Sequence, residues 1–360
     1  MTRASTTRRT LLKAGTAAGA LALMGGTFPR PAIAQGKLDP INIAASPFIN
    51  QGAIFMATEL GYFAKVGIEP KVKSFPDGSL INAPMISGEV DLGVVTCSAG
   101  LFNSLSRGAP IRSLLCIGQG KKGRAVTATV VRQDHYDAGM KTVADLKGAK
   151  GKIVAVGAAG SINQYGMATG LKLAGLDPVK DVNWQTNVGQ PDIVKQLGQK
   201  QVDVADITYH LAFIAQKQGF GKIIVSRDEI LPDSQTAMVA ARQSYLDKNR
   251  DAVVRFAMAH IHAARLFNKV AGAPAEHRNI VEMITKYIFV KDINLLNAVA
   301  PHWEWIAEDG RPNEKSVLAQ QDIWADTFSM VSKKVPAAQI FDSSIAGEAL
   351  ARLEKEKPFG

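Results

Sequence analysis

The sequence predicts an α/β fold of two lobes, and three observations predict it. From residue 40 onward, apolar runs of strand length alternate with stretches of helical periodicity, joined by short Gly, Pro and Asp connections. The alternation runs through two successive series with similar landmarks. In both series the strands end in small polar side chains.

In the first series, residues 41–46 (INIAAS) read as a buried strand and residues 51–60 as a helix. Residues 68–75 (IEPKVKSF) follow as a strand and residues 79–87 as a helix. Residues 91–96 and 111–118 (IRSLLCIG) are the next strands. Residues 87–100, SGEVDLGVVTCSAG, combine an apolar run with a polar end, so they predict a central strand buried on both faces. The second series places a strand, a small-residue turn and a helix start in residues 151–166 (GKIVAVGAAGSINQYG), a strand in 181–188, a helix in 192–197 and a strand in 202–208 (VDVADIT). A Pro-Asp pair precedes each related segment, Pro76-Asp77 and Pro191-Asp192, although the spacing to Val90-Asp91 and Val202-Asp203 differs, so the likeness is one of plan and not a strict repeat.

Residues 1–34 are set apart from the fold. TTRRTLLK places Arg8 and Arg9 ahead of an apolar stretch, and Ala32-Ile33-Ala34 offers small residues for cleavage, a layout that resembles a twin-arginine export signal cut after Ala34. The apolar stretch, residues 14–24, is too short for a membrane span of roughly 20 residues. The expectation is a periplasmic, monomeric protein. Removing the signal halves the formal charge of +10, and no basic run with interleaved aromatics remains, which argues against a nucleic-acid partner. Lys121, Lys122 and Arg124 read as a solvated loop. Cys97 and Cys116 are the only cysteines. An oxidising compartment allows a disulfide between them, but their apolar surroundings favour buried thiols, and two cysteines make no zinc motif.

Ligands of open α/β sheets bind beyond the carboxyl ends of the strands. The candidate binding residues are therefore Ser46, Phe48 and Gln51 after the first strand, Phe75, Asp77 and Gly78 after the second, and Thr96, Cys97 and Ser98 after the third. The second lobe offers Gly160, Ser161, Asn163 and Tyr165 in the GAAGSINQYG turn, and Asp206 and Thr208 at the end of a strand. Ser161 has two readings, a helix N-cap and a ligand contact at amide N–H groups that attract anions. Asp77 is either a ligand contact or an ordinary turn residue. Asp206 sits inside a strand and needs a partner there. No arginine stands clearly beside these acids; Arg124 is the nearest candidate. The aromatics Phe48, Phe75, Tyr165 and Tyr209 at element ends would suit a ring-bearing ligand.

The order of ELGYFAKVGIEPKV (residues 59–72), DGSLINAPMISGEVDLGVV (77–95), TVADLKGAKGKIVAVGAAGS (142–161) and TAMVAARQSYLDKN (236–249) resembles the periplasmic substrate-binding proteins of ABC importers, in the nitrate, sulfonate and taurine branch related to the thiamine-pyrimidine-precursor binders. The resemblance implies the two-lobe type II fold, with mixed sheets, helices on both faces and a two-strand hinge. It divides the chain into lobe 1, residues 35–128 and 237–360, and lobe 2, residues 129–236, with the crossings near residues 125–132 and 236–241. It implies a small-molecule ligand, a membrane permease as partner, hinge closure, and neither cofactor nor metal. It carries the polar or acidic head of the ligand to the turn at Ser161. Phe75 and Asp77 depart from the small turn of the sulfonate branch, which counts against a simple inorganic or alkylsulfonate anion.

Two other classes share the architecture. The related thiamine-pyrimidine synthases use lysine-bound pyridoxal phosphate and a histidine; His210 beside Tyr209 is the one histidine near the predicted cleft, and HExxH, GxSxG and P-loop patterns are absent. A ligand-sensing partner of a membrane receptor would show every feature of the transport role.

Overall fold

The structure is a computed structural model and describes residues 37–360. The export signal expected over residues 1–34, with its cleavage point, lies outside the described residues. Among those residues no helix is long and apolar enough to cross a membrane.

The strands are β1 (Asp39–Ala45), β2 (Ile68–Ser74), β3 (Leu92–Thr96), β4 (Ile111–Gln119), β5 (Thr127–Arg132), β6 (Ile153–Ala155), β7 (Asn183–Gln185), β8 (Val204–Thr208), β9 (Gly221–Ser226) and β10 (Gln235–Arg242). The helices that matter for the site are α1 (Gly52–Glu59), α2 (Asn82–Ser87), α3 (Ala99–Ser106), α4 (Ile162–Leu173), α5 (Gln190–Gly198), α6 (Tyr209–Lys217), α7 (Arg227–Ile230), α8 (Gln243–Gly272) and α9 (Ile293–Val299).

Two five-stranded sheets result, ordered β2-β1-β3-β10-β4 and β7-β6-β8-β5-β9. In the first, β1 is parallel to β2 and β3, while β10 is antiparallel to both β3 and β4. The second repeats the plan: β6 is parallel to β7 and β8, and β5 is antiparallel to β8 and β9. β3 is the central strand that its apolar run predicts. β2, at an edge, carries Pro70, which an edge strand tolerates because it has only one ladder to satisfy.

The chain crosses between the sheets twice, but not as strands. The stretches expected to cross, 125–132 and 236–241, form β5 and β10, and each is buried inside one sheet. The crossings are residues 120–126 and 227–234. Thr127 and Ala128, assigned from sequence to lobe 1, pair in the second sheet, and Gln235 and Thr236, assigned to lobe 2, begin β10 of the first. The cause is physical: a strand buried on both faces must have its backbone groups paired on both sides, and only the sheets offer that.

Each sheet is covered on both faces. α8, broken at Asn249, packs with α1 on one face of the first sheet, where Phe256 stacks on Phe63 and Phe267 on Trp303. The other face holds Val95, Cys97, Phe102, Met238 and Trp324. The second sheet is covered by α5 and α6 through Ile193, Leu197 and Ala212, and by α4 through Met167 and Leu171. Cys97 and Cys116 are both buried and unbonded, which removes the disulfide alternative. Burial pushes both thiols up, Cys116 to about 12.

Gly93 explains the glycine in the DLGVV segment. A Cβ there would come within 2.5 Å of Ile81 Cγ2 and of Met85 Sδ, so the chain from residue 78 through α2 lies directly on β3. Gly93→Ala should overpack this contact and cost about 1–3 kcal/mol. The check is urea unfolding: a lower midpoint at unchanged slope is expected, and an unchanged midpoint would show that the contact is not tight.

Candidate functional site

The polar ends of β1, β2 and β3 make one wall of a cavity. After β1, Ser46 N–H donates to Gln51 Oε1 at 2.7 Å, which folds residues 46–51 into a tight turn that presents Phe48 and Asn50. Asn50 is buried; its Nδ2 donates to Glu304 Oε2 at 3.0 Å and its Oδ1 has no partner. After β2, Asp77 Oδ1 accepts from Ser79 N–H at 2.8 Å and caps the turn Gly78–Ile81. Gly78 is required there, since a Cβ would stand 2.8 Å from Thr96 Cγ2. After β3, Ser98 Oγ accepts from Leu101 N–H at 3.3 Å and caps α3.

The facing wall comes from the second sheet. Residues 156–160 lead from β6 to α4, where Ser161 Oγ caps the helix by accepting from Gln164 N–H at 3.4 Å. Gly160 has φ +67° and donates its N–H to Gln164 Oε1 at 2.7 Å. Asn163 Nδ2 donates to Asp206 Oδ1 at 2.9 Å, and Gln190 Oε1, at the start of α5, accepts from Thr208 N–H at 2.8 Å. The walls touch where Ala99 N–H donates to Gly160 O at 3.0 Å.

Between them lies a cavity of about 170 Å³. From the predicted set, Phe48, Gln51, Asp77, Gly78, Thr96 and Ser98 line it on one side, and Gly160, Ser161, Asn163 and Thr208 on the other. Ser46, Phe75, Cys97, Tyr165 and Asp206 were expected there and do not line it. Strand alternation turns Cys97 into the core while Thr96 and Ser98 face the cavity. Two residues along a helix is more than half a turn, so Tyr165 points away from Asn163 and packs near Trp324, with ring centroids 6.4 Å apart. Phe75 packs against the cluster around Trp324, Ser46 is closed off by its own turn, and Asp206 lies behind Asn163. Tyr209 stacks on His302 with centroids 3.8 Å apart.

Asn50, Thr127 and Gln190 line the cavity and were missed. Thr127 falls in the stretch 125–132 expected to cross, and Gln190 lies between the strand expected over 181–188 and the helix expected over 192–197. The arginine was also misplaced. Arg124 donates to Asn268 O at 3.2 Å, away from the acids. The partner of Asp206 is Arg227, at the start of α7, 3.3 Å away and 3% exposed. Among the described residues no lysine or arginine lines the cavity. Gly100 near the start of α3, Ile162 and Asn163 at the start of α4 and Gln190 at the start of α5 line it, and helix N-termini favour negative charge.

Burial raises Asp206 to about 6, with Arg227, Thr127 and Asn163 pulling it back. Breaking this pair leaves a buried charge without compensation. Arg227→Met should therefore cost about 3–5 kcal/mol in urea unfolding, and the double change with Asp206→Leu should cost clearly less than the sum of the single changes. Additive costs would show that the two do not act as a pair.

A smaller cavity of about 50 Å³ adjoins the first. Phe48, Asn50, Val126 and Thr208 line both. Its remaining walls are Pro47 and Ile49, Tyr209 and His210 from α6, and residues of the C-terminal segment, among them Phe289, Leu296, Val299, Trp303 and Glu304. Burial lowers His210 to about 4, and burial also lowers His302 against the pull of Asp228 and Glu229. Glu304 is 1% exposed, and burial raises it to about 7 against the pull of Thr236 and Asn50. A carboxyl whose folded pKa lies above its unfolded value of about 4.5 holds its proton more tightly when folded. It contributes stability that is complete below about pH 4.5 and is lost as the pH rises through about 7. The difference in stability between the wild type and Glu304→Gln, followed by urea unfolding, should change across that window. A pH-independent difference would mean that Glu304 does not titrate there.

The comparisons fit this geometry. The profile of the NMT1-like family matches residues 34–285. Among solved structures, the periplasmic nitrate-binding protein NrtA from Synechocystis PCC 6803 superposes with a TM-score of 0.70 at 13% identity, covering 90% of this chain and 91% of its own. The periplasmic aliphatic sulphonate binding protein SsuA from Escherichia coli gives 0.66 at 18% identity, covering 84% and 92%. The alkanesulfonate-binding protein SsuA from Xanthomonas axonopodis pv. citri, bound to MOPS, gives 0.64 at 14% identity, covering 84% and 98%. A search of curated protein sequences found no match.

Proposed function

We propose that this chain, which belongs to the NMT1-like family, is the solute-binding component of an ABC importer. It captures a small organic or anionic ligand, of the sulfonate, taurine-like or aromatic-acid kind, between its two sheets and delivers it to a membrane permease. The observation that carries this reading is the cavity of about 170 Å³ whose walls come from both sheets. A ligand there touches both walls at once, so its binding favours the closed arrangement over an open one, and the closed surface is what a permease can recognise.

The chemistry of the lining supports capture. Hydroxyls, amides and helix N-termini hold a polar head without forming a covalent bond to it, and the one carboxylate, Asp77, is engaged in capping Ser79. Structural neighbours named for nitrate and sulphonate binding agree with a polar or anionic head. The same role goes with export by the signal read in residues 1–34, a periplasmic location and a monomeric state.

A thermal-shift series on residues 35–360, stripped of ligand, tests the reading with alkyl sulfonates, taurine, nitrate, aromatic carboxylates and pyrimidines. A cognate ligand at a hundredfold its Kd should add about 2.7 kcal/mol to stability. Ser161→Ala should lower the affinity by on the order of tenfold, the loss of one hydrogen bond to a charged group, while the unliganded protein loses only about 1 kcal/mol from the missing cap. If no member of the series moves the melting temperature, the small-solute role fails.

A further inference from the structure

We propose that the groove between the turn 121–124, the last turns of α8 and residues 305–308 is a second binding site, for a phosphate-bearing anion. It shares no lining residue with the cavity between the sheets, and the inference does not rest on the solute-binding reading. Three observations carry it.

The first is an excess of positive charge. Five cationic side chains, Lys121, Lys122, Arg124, Arg265 and Lys269, border a groove of about 390 Å³ that holds one carboxylate, Glu308. Among the described residues none of the five pairs with a carboxylate, whereas Arg132, Arg250, Arg255 and Arg352 each do. Like charges gathered at one place repel, and a bound anion relieves that cost.

The second is that the groove is built. Lys121 N–H donates to Arg124 O at 3.1 Å and Arg124 N–H to Lys121 O at 2.6 Å, which closes the basic segment into a turn with Gly123 at φ +80°. Gly123 N–H donates to Asp228 Oδ2 at 2.6 Å, and Lys121 Nζ stands 4.5 Å from the centre of the Trp305 ring in a cation–π contact. Asn268 of α8, 8% exposed, donates to Ile306 O at 2.8 Å and accepts from Ile306 N–H at 3.1 Å, so residues 305–308 are fixed against the helix. Its own carbonyl oxygen accepts from Arg124 Nη2 at 3.2 Å, and Glu308 O accepts from Arg265 Nε at 3.1 Å. Each guanidinium is thus held in place by one backbone oxygen, and the rest of its fork is unspent.

The third is a donor without an acceptor. Arg124 Nη1 is buried and has no partner, and burial lowers the pKa of this side chain with no carboxylate to offset it. A buried charged donor left unpaired costs free energy that an oxyanion would recover. Guanidinium forks match phosphate oxygens two at a time, while lysines add charge without demanding a direction. A lone carboxylate would answer only one of the five charges, so an anion with several oxygens and more than one charge suits the groove better.

The test is isothermal titration of residues 35–360, which hold the whole compact unit 38–360, with inorganic phosphate and pyrophosphate. Beside it runs flotation with vesicles of phosphatidylglycerol in phosphatidylcholine and of phosphatidylcholine alone. Pyrophosphate should bind more tightly than phosphate, and its affinity should fall as salt rises from about 0.01 to 0.15 M. Arg265→Ala and Lys122→Ala alter exposed side chains, which keeps the fold, and Arg265→Ala should weaken binding about tenfold through the loss of a charged hydrogen bond. Lys355→Ala, an exposed lysine that does not line the groove, should leave it unchanged. Pyrophosphate binding lost in Arg265→Ala identifies a soluble phosphate, and flotation that needs phosphatidylglycerol and is lost in Arg265→Ala identifies a lipid headgroup; either result upholds the site. Binding that survives both groove substitutions, binding that is lost in Ser161→Ala instead, or no response to either probe at millimolar phosphate overturns it and leaves the solute-binding role in place.

Discussion

The fold depends on one constraint of backbone pairing. Each sheet is completed by an antiparallel strand that enters directly from the other sheet's part of the chain: β5 slots between β8 and β9, and β10 between β3 and β4. A central strand without its inserted neighbour would leave a row of buried N–H and C=O groups unpaired, so neither sheet can close without the other. The two crossings follow from this, and they hold the sheets with their polar strand ends facing a common space. The cavity is thus a consequence of topology before any ligand-binding side chain is considered.

The same constraint explains where the buried charges sit. Arg227 begins the segment that leaves the second sheet, and Asp206 lies on β8 beside β5, the strand that the first crossing delivers. Asp228 accepts from Gly123 N–H at 2.6 Å and ties the two crossings to each other. Gly118, near the end of β4, has no room for a side chain because Glu304 Oε2 would lie 2.1 Å from its Cβ, which brings the C-terminal segment onto the point where the chain starts to cross. Buried ionic pairs add little net stability, but they strongly penalise arrangements in which a partner is missing.

The architecture was legible because it rests on periodicity. β3 is a continuous apolar run with a polar end, β8 is a similar run broken by Asp206, and runs of this length between turn signals fit buried strands. The site was legible in part for the same reason: Thr96, Ser98, Ser161 and Asn163 stand at element ends that the alternation locates. What failed was orientation within an end. Cys97 and Tyr165 were included because they neighbour residues that line the cavity, but a step of one in a strand or two in a helix turns a side chain to the opposite face. Arg227 and Glu304 could not be reached in this way at all, because their roles arise from contacts across 21 residues for Arg227 with Asp206 and 254 for Glu304 with Asn50, and no local pattern records such pairings.

The lack of a cationic side chain on the cavity wall decides what kind of selectivity is available. An arginine would bind any anion strongly and would hold a doubly charged ion best; helix N-termini supply only about half a charge each and only in the direction of their amides. A cavity lined by the ends of α3 and α4 therefore offers directional hydrogen bonding and shape more than net charge. Asp77 places a carboxylate on the same wall, which raises the cost of any negative charge close to it. Phe48 lines both this cavity and the smaller, more apolar one beside it, and its ring gives the two a common aromatic wall.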